Sequence, residues 1–146
     1  MTADPADDIA RRCADQMWAD DKASRALGMA LEEIAAGRAR MSMLVAEHMT
    51  NGHGMCHGGF IFTLADSAFA FACNSRNERA VAAQGSISFL APAQLGEKLV
   101  AHAEERYLLG RGGIYDVTVT GDEGRVIAEF RGHSRLLGQK FFEDTE

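Results

Sequence analysis

The chain has few of the residues that would make it a disulfide-stapled, secreted or membrane-spanning protein. Its three cysteines, Cys13, Cys56 and Cys73, are an odd number and include no Cys-x-x-Cys pair. This usage argues against a disulfide framework and predicts a reduced, cytoplasmic protein. No apolar run reaches the roughly 20 residues that a membrane-spanning helix needs. The acidic first residues lack the apolar segment of a signal peptide, so we expect none.

Positive charge is also scarce. The chain carries 15 Lys and Arg against 21 Asp and Glu, for a net charge of −6. This balance argues against a nucleic-acid partner, although a local group of arginines can still hold an anionic ligand. The 146 residues contain 47% apolar residues and no internal repeat. That length and composition predict one globular domain with a substantial core.

The chain does contain a glycine- and histidine-rich loop that leads into an apolar helix. Residues 51–59 are Asn-Gly-His-Gly-Met-Cys-His-Gly-Gly, whereas residues 60–73 contain no Gly, no Pro and one charged residue. The second segment has the length of a helix rather than a strand. Because apolar residues fall on every side of this helix, we expect protein to surround it.

Asp66 is the single charge in that helix. An unpaired buried carboxylate is costly, so such a group shifts its pKa or finds a partner. Asp66 is therefore a functional-site candidate. The alternative is that it lies on a solvent-exposed stripe of the helix or hydrogen-bonds a backbone group. Gly58 and Gly59 leave the first N–H groups of the helix open to an oxyanion or a polarised carbonyl. The alternative for this glycine pair is a flexible turn.

The spacing of these residues adds a geometric constraint. Gly59 and Asp66 lie near one face of the helix but are separated by about 10 Å along its axis. A reacting group must lie within about 3–3.5 Å of its target atom. One helix therefore cannot offer both groups to one substrate, but two antiparallel copies can. An active site made of these residues predicts a two-fold dimer with two shared sites.

The rest of the sequence predicts a helix and six strands. An amphipathic helix is expected over residues 5–24, with Ile9, Cys13 and Met17 on one face. Apolar and polar residues then alternate with the period of two that is typical of half-buried strands. The predicted strand segments are a hairpin over 27–45 and single strands over 81–90, 99–109, 114–120 and 125–137.

These elements predict an α+β fold in which one antiparallel sheet covers one helix. We divide the chain into an N-terminal helical segment (1–26), the main domain (27–138) and a C-terminal tail (139–146). We expect the tail to be frayed, because chain ends without anchoring contacts are poorly ordered.

A family resemblance rests on three short motifs: Asn51, His57-Gly58-Gly59 and Leu64-Ala65-Asp66. Their spacing resembles that of the hotdog-fold acyl-CoA thioesterases of the phenylacetate-degradation type, and the similarity extends over residues 27–137. The resemblance implies a curved antiparallel sheet of five to six strands wrapped around one long central helix. It also implies a homo-oligomer, a dimer at minimum and a tetramer built from paired dimers.

The resemblance further implies hydrolysis of acyl-CoA, with phenylacetyl-CoA or hydroxylated aryl-acetyl-CoA as substrates. Asp66 would be general base or nucleophile, and the N–H of Gly58 or Gly59 would polarise the thioester carbonyl. Asn51 would orient the water or the carbonyl, and His57 would hold the loop or the thioester. CoA is part of the substrate, and neither a cofactor nor a metal is expected.

Coenzyme A needs contacts to its phosphates. Arg111 in a glycine-rich turn, with Gly112 and Gly113 beside it, is the first candidate, and Arg76 and Arg106 are weaker ones. A single surface arginine is most often only solvated.

The acyl group would contact apolar side chains of the central helix. Phe60, Phe62 and Phe69 are the candidates, although aromatic residues at helical spacing usually belong to the core. Some relatives have Ser or Thr after the helix to position the water. This chain has Gln84 in that region, so either Gln84 or Asn51 is expected to take that role.

Other chemistries need consideration. A zinc site is the first, but its candidate ligands lack finger-like spacing; they are His48, His53, Cys56 and His57. Ser67 lacks the Gly-x-Ser-x-Gly context of a nucleophilic serine. An acyl-thioester hydratase or dehydratase, with His57 and Asp66 as acid and base, and a non-catalytic acyl-CoA-binding protein are the alternative functions.

Overall fold

The computed structural model describes residues 4–143, which contain one six-stranded antiparallel sheet and two long helices, one N-terminal and one central. The spatial strand order is β1-β2-β4-β5-β6-β3. The strands are β1 (Ala30–Ala35), β2 (Arg38–Leu44), β3 (Ala80–Phe89), β4 (Lys98–Leu109), β5 (Gly112–Thr120) and β6 (Val126–Leu136). The helices are α1 (Pro5–Asp20), α2 (Lys22–Ala26) and α3 (Gly58–Cys73). Because α3 contacts all six strands, the sheet wraps around it, which confirms the predicted hotdog fold.

Every second residue of the strands faces α3, and these residues form the core. On β4 the side chains of Leu99 and Ala101 point toward α3 and are fully buried, as are those of Val117 and Val119 on β5. Small residues let the helix approach the sheet closely. A Cβ atom on Gly132 would lie 2.8 Å from the ring of Phe69, so β6 must carry glycine at that position.

The expectation that protein surrounds α3 on every side is wrong for a single chain. Residues 59, 62, 63, 66 and 70 are not buried and form one stripe along the helix. The stripe exists because β3 ends the sheet beside it and nothing in residues 4–143 continues past that strand.

The edge strand β3 is exposed as well. Eight of its ten residues are exposed, including the apolar side chains of Val81 (46%) and Phe89 (53%). Phe89 reaches the start of α3, where a Cβ on Gly58 would lie 2.9 Å from its ring. The stripe of α3 and the strand β3 are therefore one continuous surface, which we call the open face.

Both chain ends differ from expectation. The predicted N-terminal helix breaks at Asp21, whose carboxylate caps α2 by accepting the N–H of Ser24 at 2.9 Å. Ile9 is 37% exposed, and the face that α1 buries consists of Ala10, Cys13 and Ala14. None of the helices in residues 4–143 is long and apolar enough to cross a membrane.

The C-terminal tail is not frayed where the structure describes it. The side chain of Asn77 accepts the N–H groups of Phe141 and Phe142 at 3.0 and 3.2 Å and donates to the carbonyl of Phe142 at 2.9 Å. The guanidinium of Arg12 lies 3.8 Å from the centre of the Phe142 ring. These contacts hold the tail against α1; residues 144–146 lie outside the described part of the chain.

Glu97 joins the loops at the end of the sheet nearest to Gly58. Its side chain is 3% exposed and lies 3.1 Å from the guanidinium of Arg125. The carboxylate also accepts the N–H of Gln94 at 2.9 Å and of Asp122 at 2.8 Å. Burial alone would raise the pKa of Glu97, but these hydrogen bonds and the Arg125 charge outweigh it and lower that pKa.

We expect Glu97→Ala to lower the free energy of unfolding by about 3 kcal/mol, the lower end for a broken buried ion pair, because Arg125 can turn toward water. Urea unfolding at pH 7 measures the loss. Since the pKa of Glu97 is lowered, its contribution is present above about pH 4.5 and disappears as the pH falls through the folded-state pKa. The exposed Glu104→Ala is the control, and a loss equal to that control would contradict this role.

Candidate active site

The glycine-rich loop is closed by Asn51. Its side-chain Oδ1 accepts the N–H groups of His53 at 2.9 Å and Met55 at 3.2 Å, and its own N–H donates to the carbonyl of Met55 at 2.7 Å. The Nδ2 group has no hydrogen-bond acceptor within residues 4–143. Asn51 can therefore only donate to a ligand, because its amide oxygen is committed to the loop.

His57 determines which glycine can bind a ligand. It is the N-cap of α3, and its Nδ1 accepts the N–H of Gly59 at 2.9 Å. A neutral imidazole whose Nδ1 accepts carries its proton on Nε2. The N–H of Gly59 is thus occupied, whereas the N–H of Gly58 has no acceptor in the described part of the chain. Gly58 is the available donor, at the positive end of the helix dipole.

Asp66 lies on the open face, two helical turns from Gly58. It is partly exposed and makes no hydrogen bond or ion pair within the described residues. Burial raises the pKa of this carboxyl above its usual value, because desolvation disfavours the charged form. A separation of about 12 Å along the axis prevents Asp66 and Gly58 of one chain from acting on the same atom.

An apolar pocket of about 480 Å³ adjoins Gly58. Its wall combines the loop with the end of β3, including Met55, Cys56, Ile61, Phe89, Leu90 and Pro92. The loop is fixed to that wall, since the N–H of Cys56 donates to the carbonyl of Ala93 at 2.8 Å. The sequence motifs did not predict this pocket, although the apolar Phe89-Leu90-Ala91-Pro92 stretch at the end of the strand was a signal for it.

The three phenylalanine candidates have different surroundings. Phe69 is 1% exposed and packs on Tyr115 and Phe130 at ring distances of 5.6 and 5.7 Å, so it belongs to the core. Phe62 lies on the open face, and its ring contacts that of Phe130. Phe60 contacts the ring of His57 beside the N-terminus of α3. Phe60 and Phe62 are therefore the ones that a ligand can reach.

The arginine candidates differ in their partners. Arg76 forms two hydrogen bonds with the carboxylate of Glu105, and Arg106 lies 3.5 Å from that of Asp116. Arg111 has no carboxylate partner within residues 4–143. Its turn lies beside the C-terminal end of α3, far from Gly58 of the same chain.

Gly112 and Gly113, which follow Arg111, differ in how closely other atoms surround them. Gly113 is buried, and a Cβ there would lie 2.9 Å from the Oγ of Ser134. Gly112 is less confined, because the nearest atoms to a Cβ there would be backbone oxygens at 3.6 Å or more. Gly113 therefore faces the interior, which leaves Arg111 and Gly112 as the surface part of the predicted CoA site.

The remaining candidates are the proposed metal ligands, the serine nucleophile and the residue that positions the water. Within residues 4–143, no three His, Cys, Asp or Glu side chains are grouped to hold a metal ion. Burial raises the pKa of Cys56 to about 11, so this thiol is protonated at neutral pH. Ser67 shares a hydrogen bond of 2.9 Å with Ser24, and Gln84 is exposed after a bulge in β3.

The sheet wrapped around α3 defines a hotdog-fold protein, and the N–H of Gly58 at the start of that helix has no acceptor within residues 4–143. Residues 53–128 match the Thioesterase superfamily. The chain is also 40% identical to "Acyl-coenzyme A thioesterase PaaI" of Escherichia coli over 125 residues, which are 86% of this chain and 89% of that protein. The chain therefore belongs to the Thioesterase superfamily and is a thioester hydrolase.

Solved structures and a human relative agree with that assignment. The E. coli PaaI protein from the phenylacetic acid degradation operon superimposes with a TM-score of 0.91 at 38% identity, covering 92% of this chain and 98% of that one. A Streptococcus pneumoniae hypothetical thioesterase with coenzyme A gives a TM-score of 0.74 at 26% identity, covering 77% and 90%. Human "Acyl-coenzyme A thioesterase 13" is 35% identical over 121 residues, covering 78% and 84%.

We expect Asp66→Asn to be at least as stable as the wild type at pH 7, because the amide removes a desolvated charge. The pKa of Asp66 is raised in the folded state, so its penalty develops as the pH rises through that pKa and is absent at low pH. Urea unfolding at pH 4 and pH 7 would detect the difference. The exposed Asp15→Asn is the control. A variant that is less stable than wild type at pH 7 would show that Asp66 has a stabilising partner.

Proposed function

We propose that the chain hydrolyses acyl-CoA thioesters, with phenylacetyl-CoA or hydroxylated aryl-acetyl-CoA as substrates, at sites shared by two copies. One observation carries the proposal: neither the Gly58 N–H nor the Asp66 carboxylate has a partner within residues 4–143, and Asp66 lies on the open face. The names of the E. coli and human relatives support the substrate class.

A second copy would complete the site through the open face. If two α3 helices pack antiparallel across a two-fold axis, Asp66 of each copy approaches Gly58 of the other. The same arrangement pairs the two β3 edges, which would otherwise expose unsatisfied backbone groups. A ligand carbonyl at Gly58 then lies within reach of a carboxylate that the same chain cannot supply.

The reaction would use these groups in sequence. The thioester carbonyl accepts the N–H of Gly58, and Asp66 of the second copy removes a proton from water as it attacks the carbonyl carbon. The resulting oxyanion strengthens its bond to Gly58, and collapse expels the CoA thiolate. Asn51 donates its Nδ2–H to the water or the carbonyl. Direct attack by Asp66, followed by hydrolysis of the anhydride, uses the same groups.

We further propose roles for Arg111 and for the tip of the β4–β5 hairpin. Arg111 would hold a phosphate of CoA, since it is the predicted arginine without a carboxylate partner in residues 4–143. Pairing of dimers into a tetramer would cover the hairpin tip of β4, where Leu109 is 86% exposed. No cofactor is required, because a thiolate leaves readily and the carbonyl is polarised by Gly58.

Gly58→Pro tests the carbonyl donor directly. Proline is accepted at the first helical position and lacks only the N–H there, and His57 already has the extended backbone that precedes proline (φ −62°, ψ 135°). We expect kcat for phenylacetyl-CoA, measured as free thiol, to fall by roughly 10²–10³. Gly58→Ala is the matched control, because it adds a Cβ against Phe89 but keeps the N–H. Equal activity of the two variants would rule out the donor role.

Mixing two inactive variants tests the shared site. Asp66→Asn chains supply an intact Gly58, and Gly58→Pro chains supply an intact Asp66. When equal amounts are unfolded together and refolded, half of the dimers are hybrids with one complete site each, so about a quarter of wild-type activity returns. Each variant refolded alone is the control. If the two groups act within one chain, the mixture stays inactive.

A further inference from the structure

The edge strand β3 carries no charged residue along its whole length. Its ten residues contain no Asp, Glu, Lys, Arg or Pro, although eight of them are exposed. The strand at the opposite edge of the sheet, β1, has Glu32 and Glu33 at exposed positions. Proteins usually protect an uncovered edge with charges, proline or a very short strand, and β3 has none of these. Its composition is that of a strand that a second strand covers.

Two contacts fix how α3 lies along β3. The ring of Phe89 at the end of β3 reaches the start of α3, where a Cβ on Gly58 would lie 2.9 Å from it. One turn further along the helix, the ring of Phe62 reaches β3, because a Cβ on Gly85 would lie 3.4 Å from its Cζ. The ring of Phe130, with its centre 5.4 Å away, holds Phe62 there. Gly85 is thus the point at which β3 passes beneath Phe62.

The shared site fixes where a two-fold axis crosses the helix. In the proposed dimer Gly58 of each copy faces Asp66 of the other, so the axis crosses α3 midway between these residues. The midpoint is Phe62, four residues from each of them, and Phe62 lies on the open face. The Phe62 side chains of the two copies therefore lie side by side, about 6 Å along the helix from either reacting group.

The same axis determines the register of the two strands. When two β3 edges pair into one sheet, the axis runs perpendicular to the sheet, between the strands and between the helices that lie on them. Because Gly85 is the residue of β3 beneath Phe62, it lies opposite its own copy. Gln84 then lies opposite Ser86 of the second copy. None of these pairs brings two like charges together.

We infer that Phe62 is a positioning residue that, with Gly85, sets the register in which two copies meet. The inference rests on the proposed function, which requires Asp66 of one copy and Gly58 of the other to act on one substrate. Moving the axis by one residue, from Gly85 to Ser86, slides the two strands past each other by about 7 Å. A reacting group must lie within about 3–3.5 Å of its target atom, so only one register completes the site.

Engineered cysteines on the outer face of β3 test the register. The Cβ position of Gly85 faces Phe62, so Gln84 and Ser86 point to the opposite face of the sheet, and both are exposed. Gln84→Cys combined with Ser86→Cys places thiols opposite each other, with Cα atoms about 4.5–5.5 Å apart, which permits a disulfide. We expect the oxidised double variant to run as a covalent dimer on a non-reducing denaturing gel.

The single variants are the matched controls. In either one, the two engineered thiols are diagonal neighbours with Cα atoms about 7–8 Å apart, which is too far for a disulfide. We therefore expect them to run as monomers, as the wild type should, because its three cysteines are buried. A single variant that crosslinks as fully as the double variant would put the axis at that residue and overturn the inference. A double variant that stays monomeric would overturn it as well.

Phe62→Ala tests the positioning role itself. We expect kcat for phenylacetyl-CoA to fall about 10-fold or more, because a displacement of about 1 Å can cost 10²-fold. The disulfide between positions 84 and 86 fixes the register without the ring, so oxidation should restore kcat to within about two-fold of the crosslinked protein that retains Phe62. Phe60→Ala is the matched control, because the disulfide should not restore a loss caused by removing a ring away from the axis.

The outcomes separate the inference from the function on which it rests. An unchanged kcat in Phe62→Ala, a loss that persists after crosslinking, or an equal restoration in Phe60→Ala would overturn the positioning role. The gel contains no substrate, so its result is independent of the chemistry. A double variant that crosslinks as expected but, like the wild type, releases no thiol from phenylacetyl-CoA or its hydroxylated analogues would overturn the proposed function and leave the register in place.

Discussion

The partly desolvated carboxylate of Asp66 on the uncovered side of α3 is the constraint from which the rest of the site follows. A helix this apolar is stable only where protein covers it, yet β3 ends the sheet beside residues 59–70. The uncovered stripe carries an acid that has no partner within residues 4–143. In the proposed dimer, a second copy would bury that stripe and complete the site by the same contact.

Three glycines occupy positions where neighbouring atoms leave no room for a Cβ atom. Gly132 lets the ring of Phe69 pack against β6, and Gly58 admits the ring of Phe89 while leaving its N–H exposed. At Gly113, a Cβ would lie 2.9 Å from the Oγ of Ser134. In each case an added Cβ would fall about 3 Å from a neighbouring atom, closer than packed side chains allow. The same device therefore serves core packing and, in the proposed reaction, carbonyl binding.

Hydrogen bonds outside the site fix the loops that surround it. Glu97 ties the segment after β3 to the turn before β6, and the loop that contains Asn51 and His57 is bound to that segment through Cys56. Because the capping bond from Gly59 to His57 fixes the first turn of α3, the N–H of Gly58 has a fixed direction in the chain alone. Such preorganisation is what makes a backbone N–H effective on a developing oxyanion.

Local patterns were enough to predict much of this protein. The period-two alternation gave all six strands to within two or three residues, apart from the division of the first hairpin, and the motif from Asn51 to Asp66 identified the loop, the central helix and the family.

The tertiary structure decided what depends on partners distant in the chain. It occupied the N–H of Gly59 with the His57 ring, left that of Gly58 without an acceptor in residues 4–143, and placed Phe69 in the core. In the same residues it paired Arg76 and Arg106 with carboxylates and left Arg111 without one. It also anchored a tail expected to fray, through Asn77 more than 60 residues away. Propensity and spacing act over a few residues, whereas hydrogen bonds, ion pairs and burial are settled only when the sheet closes around α3.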